Sequence, residues 1–215
     1  MHELILVRHG QSELNAKGAL VGRSDLGLTE LGLEQARAVG SRLATEAATW
    51  PAGTRLLTSP LGRARATAEV IARELESAGA SIGEVEVDDR LIELDYGMYD
   101  GLLPSEVDAE AWAAWRADAT FRPPEGESLA ELQQRCTGLF EELQAAALEG
   151  EGRVVVAVSH VSPIKAAVAW ALGTGPEISW SLHLPVAAVT RLALGRRGPA
   201  VVSFGERPLL GGSSA

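Results

Sequence analysis

Residues 153–172, RVVVAVSHVSPIKAAVAWAL, decide the fold. Arg153 to Ser159 reads as a strand whose VVVAV centre carries no polar residue, so both of its faces must be covered. It leaves through Ser159-His160-Val161-Ser162, and Pro163 suits the first turn of a helix that runs to Leu172. Strand, short loop and helix in succession form the repeating unit of an α/β protein, in which ligands collect at the carboxyl ends of the strands.

The same pattern recurs upstream. Glu3 to Val7 is a second apolar strand, ending in Arg8-His9-Gly10. Leu31, Ala36, Val39, Leu43 and Ala47 then recur at helical spacing from Thr29 to Ala48, with Thr29 as N-cap. Arg55 to Thr58 is a further strand, and Ser59-Pro60 opens a helix to about Ser77. Val85 to Val87 is read as an edge strand. Residues 88–127 are irregular apart from one short helix, Glu110 to Asp118, which carries Trp112 and Trp115 three residues apart. Ser128-Leu-Ala-Glu131 is a capping box that starts a helix to about Leu148. Val186 to Leu194 and Ala200 to Phe204 complete the sheet. The expected architecture is a three-layer α/β/α sandwich around a largely parallel sheet.

Three strand-to-helix loops meet at one sheet edge in this reading: Arg8-His9, Ser59 to Arg63, and His160. Two histidines and two arginines gathered there make an anion site. The chain holds 19 basic and 29 acidic residues, a net charge of −10, with no basic tract. Nucleic acid is therefore excluded as a partner, because phosphate-backbone binding depends on clustered cations. No window reaches the ~20 apolar residues that span a bilayer. The four-residue apolar run Leu4 to Val7 is too short for a signal peptide, so no membrane association and a cytoplasmic location are expected. Cys136 falls in register with Leu129, Leu132, Leu139 and Leu143 and reads as a buried apolar residue rather than a catalytic thiol. His2 and His183 read as surface or packing histidines. No metal is expected, since the histidine spacings match no compact ligand pair and the arginines would repel a dication.

Four segments, LVRHGQSELN, TSPLGRARATA, LIELDYGMYDG and VSHVSPIK, stand in the order found in the phosphoglycerate mutase-like histidine phosphatase superfamily, which the chain resembles over about residues 3–204. The resemblance implies that His9 is a nucleophile forming a phosphohistidine, that Arg8, Arg63 and His160 hold the phosphoryl oxygens, and that Asn15 contacts phosphate. It also implies that Glu93 is the proton donor. Asp89, Asp95 and Asp100 are rival carboxylates that do not fit that motif. The chemistry agrees, because a histidine attacks phosphorus only through a neutral nitrogen and nearby guanidinium groups favour that form. The same cations stabilise a transition state whose charge spreads over three equatorial oxygens, so neither metal nor cofactor is required.

Two departures from the family pattern stand out: Val21 where many members carry glutamine, and Val161-Ser162 where they carry Gly-Gly. The backbone N–H groups at 161–162 are expected to remain for phosphate. One domain is expected over residues 1–204, with 95–127 as a cap over the site and 205–215 as a mobile tail. From Asp95 to Glu125 lie seven carboxylates and only two cations, Arg116 and Arg122. A phosphatase acting on a small phosphorylated metabolite is therefore preferred over a mutase, or over a non-catalytic phosphoester binder. Substrate identity and oligomeric state stay open at this level.

Overall fold

The computed structural model describes residues 2–51, 53–150 and 154–208. In chain order the strands are β1 (His2–Arg8), β2 (Thr54–Thr58), β3 (Ile82–Val87), β4 (Val154–Ser159), β5 (Val189–Gly195) and β6 (Gly198–Glu206). The helices are α1 (Glu13–Ala16), α2 (Glu30–Ala47), α3 (Gly62–Ser77), α4 (Ala109–Ala117), α5 (Leu129–Glu149) and α6 (Val161–Leu172). The strands form one sheet in the order β3-β2-β4-β1-β5-β6. Its β3-β2-β4-β1 part is parallel, and β5 and β6 join antiparallel.

Side chains alternate across each strand, so the sheet feeds two cores. Leu4, Leu6, Val155 and Ala157 face α5 and α6, meeting Cys136, Phe140 and Ile164. Ile5, Val7, Val156 and Val158 face α2 and α3, meeting Val39, Leu43, Ala68 and Ile71. The unbroken apolar runs of β1 and β4 thus reflect burial on both faces, and the architecture is the three-layer α/β/α sandwich. Each fully buried leucine, valine or isoleucine contributes about 1.5–3 kcal/mol. Among the described residues, no helix is long and apolar enough to cross a membrane.

Several boundaries differ from the sequence expectation, each for a local reason. Helix α3 starts at Gly62, not at Pro60. Its N-cap, Leu61, offers no side-chain acceptor, and the Asp25 carboxylate accepts from the Gly62 and Arg63 N–H groups instead. Helix α6 starts at Val161, two residues before Pro163, so His160 is its N-cap and the proline lies within the first turn, where no N–H is needed. Strand β5 begins only at Val189, because Ala187 adopts a left-handed conformation at φ 56° that interrupts extended backbone. Strand β6 runs to Glu206, so the sheet takes in Gly205 and Glu206, which the sequence assigned to a tail. Strand β3 begins at Ile82 rather than Val85. Arg153 and residues 209–215 lie outside the described residues. Thr29 caps α2 and the Ser128–Glu131 capping box opens α5, as expected.

Candidate active site

Strand register brings the key residues together. In the parallel β1/β4 pair Arg8 lies opposite Ser159, and in β2/β4 Thr58 lies opposite Val158. The ladder continues past the strand ends, with His9 N–H donating to the Ser159 carbonyl at 3.0 Å and Ser59 N–H to the Val158 carbonyl at 2.9 Å. His9, Ser59 and His160 therefore leave the sheet side by side. The His9 and His160 rings lie 5.0 Å apart between centroids. Gly10, after the first histidine, meets the start of α2 so closely that a Cβ there would overlap the Gly32 carbonyl. Its N–H donates to Thr67 Oγ1 on α3 at 3.1 Å. The loop is thus clamped between both helices of that face.

The hydrogen bonds of His9 settle its tautomer. Nδ1 lies 2.7 Å from the Gly10 carbonyl oxygen, which can only accept, so Nδ1 carries the proton. Nε2 accepts from Arg63 Nε at 3.2 Å and so presents a lone pair. His9 is 2% exposed, and its pKa is held well below the ordinary histidine range, first by burial and then by the charges of Arg63 and Arg8. Burial likewise depresses His160, with Arg63 next. His160 Nε2 lies 2.7 Å from Ser59 Oγ, while its buried Nδ1 has no partner.

Arg63 is 1% exposed and held by the segment before α2. Its Nη2 donates to the Gly22 carbonyl at 2.6 Å and its Nη1 to the Ser24 carbonyl at 2.7 Å. The Asp100 carboxylate in turn accepts from Gly22 N–H at 2.8 Å and Ser24 N–H at 2.7 Å. Asp100 therefore reaches His9 through a continuous chain: carboxylate, loop, guanidinium, imidazole. Arg8 donates through Nη1 to the Leu184 carbonyl at 2.6 Å and keeps a buried Nε–H unpaired. Burial lowers its pKa to about 10, which the charge of Glu93 opposes.

Glu93 is 3% exposed. Its Oε1 accepts from Leu94 N–H at 2.7 Å and Ser162 N–H at 3.2 Å. The Ser162 N–H expected to serve phosphate is thus directed at this carboxylate. The carbonyl of Glu93 accepts from Arg135 Nη2 at 3.2 Å, and Arg135 also donates to Glu127 at 2.7 Å and to the Arg90 carbonyl at 2.8 Å. Two buried guanidinium groups, an imidazole lone pair and a carboxyl are the parts needed for transfer of an anionic group through nitrogen with protonation of a leaving oxygen.

Of the six residues singled out from sequence, Arg8, His9, Arg63, Glu93 and His160 lie in this cluster. Asn15 is committed elsewhere through its oxygen, which accepts from Ser12 N–H at 3.1 Å and Ser12 Oγ at 2.9 Å in the capping box of α1. Only its amide is left for a ligand. His2 sits at the far end of β1, and His183 is exposed. Burial pushes the Cys136 thiol up to about 12, which suits a core residue. Sequence reasoning missed the supporting residues Asp25, Arg135 and Asp100. Asp100 belongs to the quoted LIELDYGMYDG segment, which was the available signal.

The chain is similar to known proteins in both sequence and fold. The chain is 35% identical over 190 residues to the bifunctional protein Rv2228c of Mycobacterium tuberculosis, matching 87% of this chain and 49% of that protein. It thus spans about half the length of that relative. A probable phosphoglycerate mutase, GpmB, of Serratia proteamaculans is 36% identical over 217 residues, covering 98% of this chain and 88% of that one. Among solved structures, a mycobacterial glucosyl-3-phosphoglycerate phosphatase in complex with VO3 superposes with a TM-score of 0.81 at 30% identity, over 96% of this chain and 100% of that one. Residues 4–207 match the model of the histidine phosphatase superfamily, branch 1, and the chain belongs to that family.

Proposed function

We propose that the chain is a metal-independent phosphatase that hydrolyses small phosphomonoesters through a phosphohistidine on His9. The observation that carries the reading is the His9 tautomer, with Nδ1–H fixed on the Gly10 carbonyl and the Nε2 lone pair facing a buried guanidinium. His9 Nε2 attacks phosphorus, the ester P–O bond breaks, and the leaving alkoxide takes a proton from Glu93. Glu93, now a carboxylate, takes a proton from water as that water attacks the phosphohistidine. The N–P bond breaks, giving inorganic phosphate and free His9. Arg8, Arg63 and His160 bind the equatorial oxygens, the last through its unpaired Nδ1, and the Asn15 amide adds a further donor. Residues 95–127 act as a cap over the site.

Mutase activity is the second reading, because several relatives bear the name of phosphoglycerate mutases. A mutase must hold a second phosphate, and both cations of the cap are already engaged. Arg122 pairs with Glu131, and Arg116 stacks over Trp180 at 5.2 Å. Supplied with 3-phosphoglycerate and a trace of 2,3-bisphosphoglycerate, the protein is therefore expected to release inorganic phosphate faster than it forms 2-phosphoglycerate. The mechanism is tested by rapid-quench trapping with a labelled aryl phosphate, with and without EDTA. An acid-labile phosphohistidine that survives EDTA and is absent from His9→Ala is expected. Its absence from the wild type refutes the covalent route, and restoration by one divalent metal after loss in EDTA refutes metal independence.

A further inference from the structure

Beside Glu93 opens a half-open cleft of about 70 Å3. Leu94, Tyr96 and Ser162 line it, and the Leu94 and Ser162 N–H groups are the ones that hold the Glu93 carboxyl. The cleft therefore begins at the group assigned to protonate the leaving oxygen. Its far wall is three tryptophans set edge to face. Trp112 meets Trp115 at 5.6 Å and 82° and Trp180 at 6.0 Å and 69°, and Trp115 meets Trp180 at 5.7 Å and 87°. Trp115 is 2% exposed and serves as the core of the cap, whereas Trp112 and Trp180 are only partly covered.

Two donor-bearing side chains, Lys165 and Trp115, stand among the residues that line the cleft. Lys165 spends one N–H on the Ser179 carbonyl at 2.8 Å and forms none of the described ion pairs. Burial pulls it below the usual lysine range, Glu93 opposing and Arg8 assisting. The indole Nε1–H of Trp115 is buried without an acceptor. A buried donor left unpaired is costly, so a ligand that brings an acceptor gains by pairing it.

We propose that this cleft receives the alcohol half of the ester, and that it selects leaving groups built on a flat aromatic ring with a hydrogen-bond acceptor on its edge. The inference rests on the phosphatase reading above and adds its substrate class. Aromatic faces stack on a ring at low cost in order, whereas a polyhydroxylated alcohol would leave two tryptophans wet and compete poorly with water for the donors. Lys165 reads the acceptor, and Trp112 reads the ring.

The test compares kcat/KM for pyridylmethyl, benzyl, cyclohexylmethyl and glycerol phosphates, with 4-nitrophenyl phosphate reporting the chemistry by itself. Stacking worth about 1–3 kcal/mol predicts that benzyl exceeds glycerol phosphate by about 5–150-fold, with cyclohexylmethyl between them. Pyridylmethyl phosphate should exceed benzyl. Trp112→Leu should collapse the benzyl-to-glycerol ratio toward one, and Lys165→Met the pyridylmethyl-to-benzyl ratio, with thermal melts confirming that both variants fold. Hydrolysis of 4-nitrophenyl phosphate with a flat wild-type profile overturns the inference and leaves the phosphatase reading standing. No hydrolysis of any ester overturns both.

Discussion

Replacing Asp100 with asparagine tests whether Arg63 is held in place from a distance. The Asp100 carboxylate accepts two backbone N–H groups, from Gly22 and Ser24, and the carbonyls of those same two residues hold Arg63 against His9. Asparagine keeps one acceptor and turns an NH2 toward the other N–H, so one charge-assisted bond, about 1.5–3 kcal/mol, is lost. Arg23 still ties the loop to Asp95 at 3.2 Å and to Glu127 at 3.3 Å. The expected loss of stability is therefore about 2 kcal/mol, near the low end of that range. If the same energy is withdrawn from the placement of Arg63, kcat/KM falls about 30-fold. A tie that served folding alone would lower the melting temperature and leave the chemistry intact. The discriminating readout is the pH profile of kcat/KM. Arg63 is the second cause, after burial, of the depressed His9 pKa. A guanidinium that swings away lets that pKa rise, so the acid limb moves to higher pH. Stopped assays on 4-nitrophenyl phosphate well below the melting temperature, across pH 4–8, measure both effects. An Asp100→Asn enzyme within twofold of wild type, its acid limb unmoved, would refute the reasoning.

Two further perturbations follow from the geometry. His9 and His160 are both held below the ordinary histidine value of 6.5, so below that pH the unfolded chain binds protons that the folded chain refuses. Stability then falls as the solution is acidified, by up to about 2.7 kcal/mol per pH unit for two protons; urea titrations between pH 5 and 7 should show this slope, halved in His9→Asn, and a flat wild-type dependence contradicts it. Gly10→Ala forces a Cβ into the Gly32 carbonyl and should cost about 3 kcal/mol in urea unfolding, the upper end for overpacking; an unchanged midpoint shows that the two backbones can separate freely.

How far the sequence reveals the fold depends on where each signal resides. Strands β1 and β4 were readable because Leu4 to Val7 and Val154 to Val158 are apolar on both faces, a pattern that few other structures produce. The N-terminal caps of α2 and α5 were readable because Thr29 and Ser128 sit beside the N–H groups they accept from. The start of α3 was misplaced because its cap comes from Asp25, distant in sequence and brought near only by folding. The same applies to the site. His9, Arg63, Glu93 and His160 belong to short motifs at strand ends, whereas Arg135 lies on α5 and looks like an ordinary solvated charge until its bonds to Glu127 and Glu93 are seen. In the sequence Asp100 reads only as a carboxylate that does not fit the Glu93 motif, and its part in the site exists only through the loop of residues 22–24. Ser162 shows the converse: its N–H was expected to be free for phosphate, and folding directs it to Glu93.

The parallel pairing of β1 with β4 has an implication for how such a protein can diversify. Arg8 opposite Ser159 sets the distance between the two histidines by counting residues along two buried strands, not by the shape of a loop. Sliding one strand by one residue would move its histidine about 3.3 Å and exchange the side chains packed against α2 and α3 with those packed against α5 and α6, which the fitted packing of both cores opposes. The spacing of the reacting groups is therefore insulated from change in the 95–127 segment and in the residues around Trp180. Under the proposed function, lineages carrying this sheet are free to vary the 95–127 segment, and hence the alcohol accepted, against histidines whose separation is inherited unchanged.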